Sequence, residues 1–448
     1  MSQIDLFRVL AALALLLAAA HGMGRIFARF RQPPVIGEIL GGLLLGPTVL
    51  GQLLPRAENW LFPAEGPVAS GPALVYQLGM LLLMFTAGVE MRTVFSRRDG
   101  RSVAVIALAG MVVPFGLGLL AVSVIDTEDL LGPADNVSAL TMVLACAIAV
   151  TSIPVISRIM LDLGIIRTRF ARVVLSVAVV EDVVLNVILS VALGMVAGGG
   201  EGGFGLAHTV GITSANASAA YHSVASVAFF GLMTLLAVVL RRRPGGTAGA
   251  ADHPLGTVAV RMAVLLAVAA SCVFLGVAPM FGAFVVGLMS GLAGRGSQSE
   301  PLGQLRGFAA GFFIPVYFAM VGLKLDLVHS FDLWFTVGFI LVACLAKAAS
   351  AYVGARLSNR SKAESLDLAV ALNARGGPGI VLATVSFEAG IVNASLFTTL
   401  VLTAIVTSQI AGWWLERAVS RGAFAADRAL APPPQDPSGK APVEAKAG

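Results

Sequence analysis

The chain has 448 residues, of which 57% are apolar and 12% are charged, and its formal net charge is +5. Charged residues make up about a quarter of an average soluble domain, so this composition excludes an ordinary soluble protein. The basic residues are spread over many short segments, which excludes the single basic patch typical of nucleic-acid binding. The mean hydropathy of +0.88 and the recurrent apolar runs of about 20 residues indicate a polytopic membrane protein.

The apolar runs predict an all-α protein with about thirteen transmembrane helices. In chain order they cover approximately residues 5–23, 34–53, 73–91, 102–125, 138–160, 170–196, 221–240, 258–277, 279–294, 305–323, 333–356, 366–388 and 396–416. Residues 1–420 therefore form a predicted transmembrane domain. The polar, Pro- and Ala-rich residues 421–448 predict a disordered cytoplasmic tail.

The distribution of Lys and Arg predicts the orientation of these helices. If the N-terminus lies outside and the helices alternate in direction, 25 of the 30 Lys and Arg residues fall on the cytoplasmic side. We therefore expect a cell-membrane protein with its N-terminus outside and its C-terminus in the cytoplasm.

Charged residues inside the predicted spans are the strongest indication of function. Glu181 and Asp182 lie near the centre of the sixth helix, and Lys347 lies about midway along the eleventh. A charge at the bilayer centre costs about 2.5–3.5 kcal/mol on the insertion scale, so we expect these groups to be paired. The simplest pairing joins Lys347 to either Asp182 or Glu181 across a helix interface.

Adjacent helical residues point about 100° apart, so Glu181 and Asp182 cannot share one face. Asp182 shares its face with Asn186, four residues on, whose amide can support a hydrated ion site. We therefore expect one carboxylate to face an ion path and the other to face a packed helix.

The fifth predicted helix contains a backbone break in the segment AVTSIPVIS, residues 149–157. Pro154 removes a helical hydrogen bond and frees a carbonyl near Val150, while Thr151 and Ser152 offer hydroxyls. Such a break offers free carbonyls and the partial charges of half-helix termini to a cation.

The twelfth predicted helix is broken in the segment NARGGPGIV, residues 373–381, which contains Gly376, Gly377 and Pro378. Irregular backbone at membrane depth is tolerated where protein or a water-filled cavity surrounds it. Two broken helices of opposite direction are typical of inverted-repeat transporters with an ion site at the midplane. Arg375 precedes this break, and we expect it to support the break through carbonyls or an acid such as Glu38 or Glu90, or to act as a gate.

Three other functions use the same residues or the same fold. A cation channel or uniporter would show flux that does not respond to a pH gradient. A membrane sensor with a relict site would show no flux. A transporter of organic anions would need a polar or basic cavity in place of the acidic pair.

Several segments resemble the monovalent cation/proton antiporters, in the branch of Kef-type potassium and Nap-type sodium exchangers. They are RQPPVIGEILGGLLLGPTVLG (31–51), LGMLLLMFTAGVEM (78–91), TSIPVISRIMLDLG (151–164) and FFIPVYFAMVGLKLDL (312–327). The resemblance extends over about residues 5–417. It implies exchange of Na⁺ or K⁺ for protons by alternating access, without enzymatic activity or a cofactor.

The resemblance also implies a division of labour within the chain. It makes Asp182 the essential cation- and proton-binding carboxylate and Lys347 the lysine that pairs with the carboxylate site. It implies a core domain at about 102–196 and 333–416, and a dimer and scaffold panel at about 5–91 and 258–323, with a linker helix at about 221–240. The expected partners are a monovalent cation, protons, the lipid bilayer and a second copy of the chain.

Overall fold

The computed structural model of the chain is a succession of helices. It describes residues 2–30, 32–90, 100–166, 168–197, 205–211, 258–293 and 300–424, with scattered positions between 217 and 232. In chain order they are α1 (Gln3–Arg29), α2 (Pro34–Leu45), α3 (Leu50–Leu53), α4 (Pro55–Leu61), α5 (Pro67–Glu90), α6 (Gly100–Ala121), α7 (Val137–Ala149), α8 (Ile153–Asp162), α9 (Arg169–Ala197), α10 (Leu206–Thr209), α11 (Val258–Leu275), α12 (Pro279–Ala293), α13 (Glu300–Phe308), α14 (Ile314–Leu323), α15 (Leu333–Leu357), α16 (Lys362–Ala371), α17 (Gly376–Glu388) and α18 (Ala394–Ser420).

The predicted all-α membrane fold is confirmed. Within the described ranges, ten helices or helix pairs are long and apolar enough to cross a membrane, and α7 and α12 are shorter apolar helices. The predicted helix at 221–240 lies largely outside the described residues, so the count of thirteen stays a prediction.

Polar residues in the loops start the helices of the site region. Asn136 precedes α7, and its side chain accepts a hydrogen bond from the Ala139 amide at 2.9 Å. Ser361, Asp332 and Asn393 cap α16, α15 and α18 in the same way. Such caps satisfy backbone donors that have no partner within the helix.

The helices pack as two groups. Helices α1, α2, α5, α12 and α14 pack against one another, with α11 against α12. Helices α6, α7, α9, α15, α16, α17 and α18 form the second group, and α8 packs against α9, α17 and α18. These groups are called the panel and the core below.

Proline changes the predicted helices at two places. The predicted helix 34–53 ends at Leu45, because Gly46 has extended backbone (φ −92°, ψ −171°) and the residue before a proline, here Pro47, avoids helical backbone. The predicted helix 305–323 begins earlier, at Glu300, and contains a π-helical turn at Ala309–Phe313 just before Pro315.

The structure describes the first four residues of the predicted tail. Residues 421–424 form a turn after α18, and Phe424 is buried with its ring 4.7 Å from that of Phe170. Residues 425–448 lie outside the described part of the chain.

Candidate functional site

Both predicted helix breaks are confirmed, and they meet in the core. The first separates α7 from α8 at residues 150–152, and the second separates α16 from α17 at residues 372–375. The Ser152 amide donates to the Ala374 carbonyl at 2.6 Å. The Thr151 hydroxyl lies 2.6 Å from the Leu372 carbonyl oxygen. Backbone groups that each break frees are therefore satisfied by the other break.

Arg375 caps the end of α7. Its Nε donates to the Ala147 carbonyl at 3.1 Å and its Nη2 to the Ile148 carbonyl at 3.0 Å. Nη2 also donates to the Ala343 carbonyl of α15 at 2.9 Å. A cation at a helix C-terminus satisfies free carbonyls and opposes the helix dipole. Arg375 thus contacts carbonyls, which is one of the predicted arrangements, and its role as support or as gate stays a prediction.

Of the two glycines that begin α17, Gly376 is the one whose position requires glycine. Gly376 has φ +32°, and a Cβ atom there would lie 2.3 Å from Val155 Cγ2 and 2.6 Å from Ser152 Oγ. Its amide donates to the Ser408 hydroxyl of α18 at 3.1 Å. A Cβ atom on Gly377 would meet nothing within 4 Å. The predicted role of glycine in this break therefore falls on Gly376 and not on Gly377.

Lys347 pairs with Glu181. The Lys347 ammonium lies 2.8 Å from Glu181 Oε2, and both side chains are fully buried. Thr151 Oγ1 lies 2.7 Å from the same carboxylate oxygen. Lys347 also donates to the carbonyls of Gly110 at 2.8 Å and Ala149 at 2.6 Å. Of the two predicted partners for Lys347, the structure selects Glu181.

Asp182 lines a small cavity of about 20 Å³, whose volume is enough for one water molecule. Asn186 lines the same cavity, as their shared helix face predicts. The other lining residues come from both groups of helices: Met84, Ala87 and Phe284 from the panel, and Cys146, Val150, Leu185, Leu189, Pro378, Val381 and Leu382 from the core. The cavity therefore lies where the panel meets the core.

The two carboxylates have different surroundings. Asp182 is 7% exposed, and no hydrogen bond or ion pair joins its side chain to another of the described residues. Glu181 is tied to Lys347 and Thr151. The two acids thus face different surroundings, as expected, and the assignment of the cavity to an ion path stays a prediction.

Thr151 and Ser152 differ from their predicted placement. Thr151 contacts Glu181 and the second break, and Ser152 Oγ accepts from the Val155 amide at 3.4 Å at the start of α8. The cavity wall beside Asp182 is formed by other residues. In this conformation the two hydroxyls thus support Glu181 and the backbone, and their role as cation ligands stays a prediction. Pro154, the second residue of α8, lies just after the break that it predicts.

Sequence reasoning missed the panel side of the cavity. Met84 and Phe284 are apolar residues inside apolar helices, and no local pattern distinguishes them from other core residues. Cys146 also lies in an apolar stretch of sequence, and it lines the same cavity as Asp182.

Comparisons with known proteins bear on the family and the fold of the chain. The family model described as sodium/hydrogen exchanger, transmembrane, matches residues 12–421. The K(+)/H(+) antiporter 1 of Saccharomyces cerevisiae is 30% identical over 398 residues, which are 85% of this chain and 43% of the yeast protein. Cation/H(+) antiporter 20 of Arabidopsis thaliana is 27% identical over 413 residues, covering 89% of this chain and 47% of the plant protein. The chain thus spans less than half the length of these two relatives.

The Na(+)/H(+) antiporter NhaS4 of Synechocystis, in contrast, is similar to this chain in length. It is 26% identical over 417 residues, which are 90% of this chain and 95% of that protein. Among solved structures, the sodium proton antiporter MjNhaP1 from Methanocaldococcus jannaschii matches with a TM-score of 0.57 and 16% identity, covering 95% of this chain and 99% of that one. At that identity the likeness shows the fold.

Proposed function

Because this chain belongs to the family of transmembrane sodium/hydrogen exchangers, we propose that it exchanges a monovalent cation for protons across a membrane. The relatives are named as sodium, potassium or general cation antiporters, so the cation is Na⁺ or K⁺. We further propose a homodimer in the cell membrane, with the N-terminus outside and the C-terminus in the cytoplasm.

One observation carries the proposal: Asp182 is a buried carboxylate that faces a cavity, while its neighbour Glu181 is already neutralised by Lys347. A buried carboxylate without a partner is costly. A monovalent cation or a proton in the cavity removes that cost, and the two compete because they bind the same oxygens. Competition for Asp182 couples the movement of one ion to the other.

The contacts of Thr151 connect the Glu181–Lys347 pair to the second break. Thr151 Oγ1 lies within hydrogen-bond distance of both Glu181 Oε2 and the Leu372 carbonyl, and a hydroxyl has one proton to donate. The carboxylate and the carbonyl therefore compete for the proton of Thr151.

The position of the cavity supports alternating access. Its walls belong partly to the panel and partly to the core, so a displacement of the core along the panel would change the side from which Asp182 is reached. A carboxylate bearing a cation or a proton crosses the membrane without an uncompensated charge, which would otherwise cost about 2.5 kcal/mol or more. We therefore assign the core, about 102–196 and 333–416, as the moving unit and the panel, about 5–91 and 258–323, as the fixed one.

The test is exchange in proteoliposomes that contain a pH-sensitive dye and carry an imposed pH gradient. Na⁺, K⁺, Li⁺ and Rb⁺ are added in turn to the wild type, to Asp182→Asn and to Asp332→Asn. Asp332 is the matched control because Asn also caps a helix well, and this residue caps α15. Cation-evoked dye recovery in the wild type and Asp332→Asn, with its loss in Asp182→Asn, is the expected result. Full exchange by Asp182→Asn would contradict the assigned site, and a wild type that never responds would contradict exchange itself.

A further inference from the structure

The Lys347 ammonium has three protons and three acceptors. They are Glu181 Oε2 at 2.8 Å, the Ala149 carbonyl at 2.6 Å and the Gly110 carbonyl at 2.8 Å. A lysine ammonium has three donors and no acceptor, so this set satisfies the buried cation fully. Two acceptors come from groups described above: the carboxylate and the broken end of α7. The third comes from the middle of α6, where carbonyls are normally taken up by the helix itself.

A proline makes the Gly110 carbonyl available. In an α-helix this carbonyl would accept from the amide four residues later, and that residue is Pro114, which lies inside α6. Proline has no amide proton. The Gly110 carbonyl is therefore released from the helix, and Lys347 donates to it from α15.

Gly110 has a second role that its lack of a side chain makes possible. A Cβ atom at this position would lie 2.9 Å from Glu181 Oε1 and 3.8 Å from Lys347 Nζ. Glu181 Oε1 is buried and has no hydrogen-bond partner among the described residues. The space left by Gly110 therefore accommodates the carboxylate in the orientation that puts Oε2 on Lys347.

We propose that Gly110 and Pro114 are positioning residues for the exchange site: Pro114 frees the carbonyl that takes the third Lys347 proton, and Gly110 leaves room for the Glu181 carboxylate. This inference rests on the proposed exchange function and adds α6 to its machinery. A methyl group at residue 110 would displace the longer acid Glu181, whereas an aspartate at 181 is shorter by one methylene and would relieve that contact.

The first experiment compares Pro114→Ala with Pro72→Ala, which removes another buried proline inside a helix, in α5. The restored amide at 114 competes with Lys347 for the Gly110 carbonyl. We expect kcat of exchange to fall about tenfold, the scale of one hydrogen bond to a charged group, while Pro72→Ala keeps the wild-type kcat. Equal kcat in the wild type and Pro114→Ala would overturn the role of Pro114.

The second experiment compares Gly110→Ala with Gly116→Ala, each measured for kcat, KM and pH profile of exchange. Both glycines lie in α6, and a Cβ atom at Gly116 would meet nothing within 4 Å. Both substitutions therefore change helix propensity equally, but only Gly110→Ala adds a contact with Glu181. We expect Gly110→Ala to shift the pH profile by about half a unit or more and Gly116→Ala to leave it in place. The double variant Gly110→Ala/Glu181→Asp is expected to match Glu181→Asp alone, because the contact is then absent.

Two results would overturn the role of Gly110. One is an identical pH profile for Gly110→Ala and Gly116→Ala. The other is an additive effect of Gly110→Ala in the Glu181→Asp background, since residues that do not interact give additive effects. Failure of exchange itself is recognised separately, because it would remove activity from the wild type and from Gly116→Ala as well.

Discussion

Glu181 and Asp182 are neighbours in the chain but face different parts of the molecule. Glu181 Oε2 lies 2.8 Å from Lys347 Nζ, whereas Asp182 faces the cavity between panel and core. One acid is thereby paired with a lysine, and the other lines a cavity. The separation follows from the helix, which turns adjacent side chains about 100° apart.

The buried pair predicts a large loss of stability when its cation is removed. Lys347→Met leaves the buried Glu181 carboxylate without its partner, which typically costs about 3–5 kcal/mol. Thermal unfolding in detergent measures the loss. Lys324→Gln is the control, because Lys324 forms a partly exposed ion pair with Glu388 at 2.7 Å, and such pairs contribute about 0–1 kcal/mol. Equal losses in the two variants would contradict the importance of the buried pair.

Arg375 holds α7 through several carbonyls, which a lysine cannot reach with one ammonium group. Arg375→Lys should lower the free energy of unfolding by about 1–3 kcal/mol, the cost of leaving a buried backbone acceptor without a donor. Arg417→Lys is a matched control, since Arg417 is exposed and lies 4.3 Å from the Trp413 ring. If Arg375→Lys unfolds at the wild-type temperature, the capping of α7 by this side chain is not needed for stability.

The two glycines at the start of α17 should respond differently to alanine. Gly376→Ala meets Val155 and Ser152 and has a positive φ, and left-handed backbone alone costs about 1–2 kcal/mol for a residue with a Cβ. Gly377→Ala meets no neighbouring atom within 4 Å and should change stability by less than about 0.5 kcal/mol. Melting temperatures of the two variants, expressed and purified in parallel, make the comparison. A stable Gly376→Ala would show that the break adapts to a side chain.

The sequence was most informative about polar groups inside the membrane spans, because these are costly unless they are paired or enclosed. Charges in an apolar span must be paired and broken backbone must be enclosed, so Lys347, Arg375 and both breaks were identified from residue type and position alone. The choice between Glu181 and Asp182 as partner of Lys347 depends on how α9 is rotated against α15. That rotation is set by packing across many residues, and the sequence left both partners open.

Other features needed the structure for different reasons. The panel wall of the cavity is apolar and carries no local signal. The Gly110 carbonyl does carry a local signal, because Pro114 lies four residues later. Its donor, however, is Lys347, which lies 237 residues further along the chain. A freed carbonyl predicts that some donor is needed and does not identify it.

The most direct test of a site shared by cation and proton is the binding of the cation to purified protein at several pH values, measured by calorimetry in detergent. Competition at Asp182 predicts that cation binding releases protons and that the apparent Kd rises about tenfold for each unit of pH decrease once the carboxylate is protonated. Asp182→Asn should bind no cation, while Asp332→Asn should behave as the wild type does. A cation affinity that is the same at every pH, or that survives in Asp182→Asn, would contradict competition at this carboxylate.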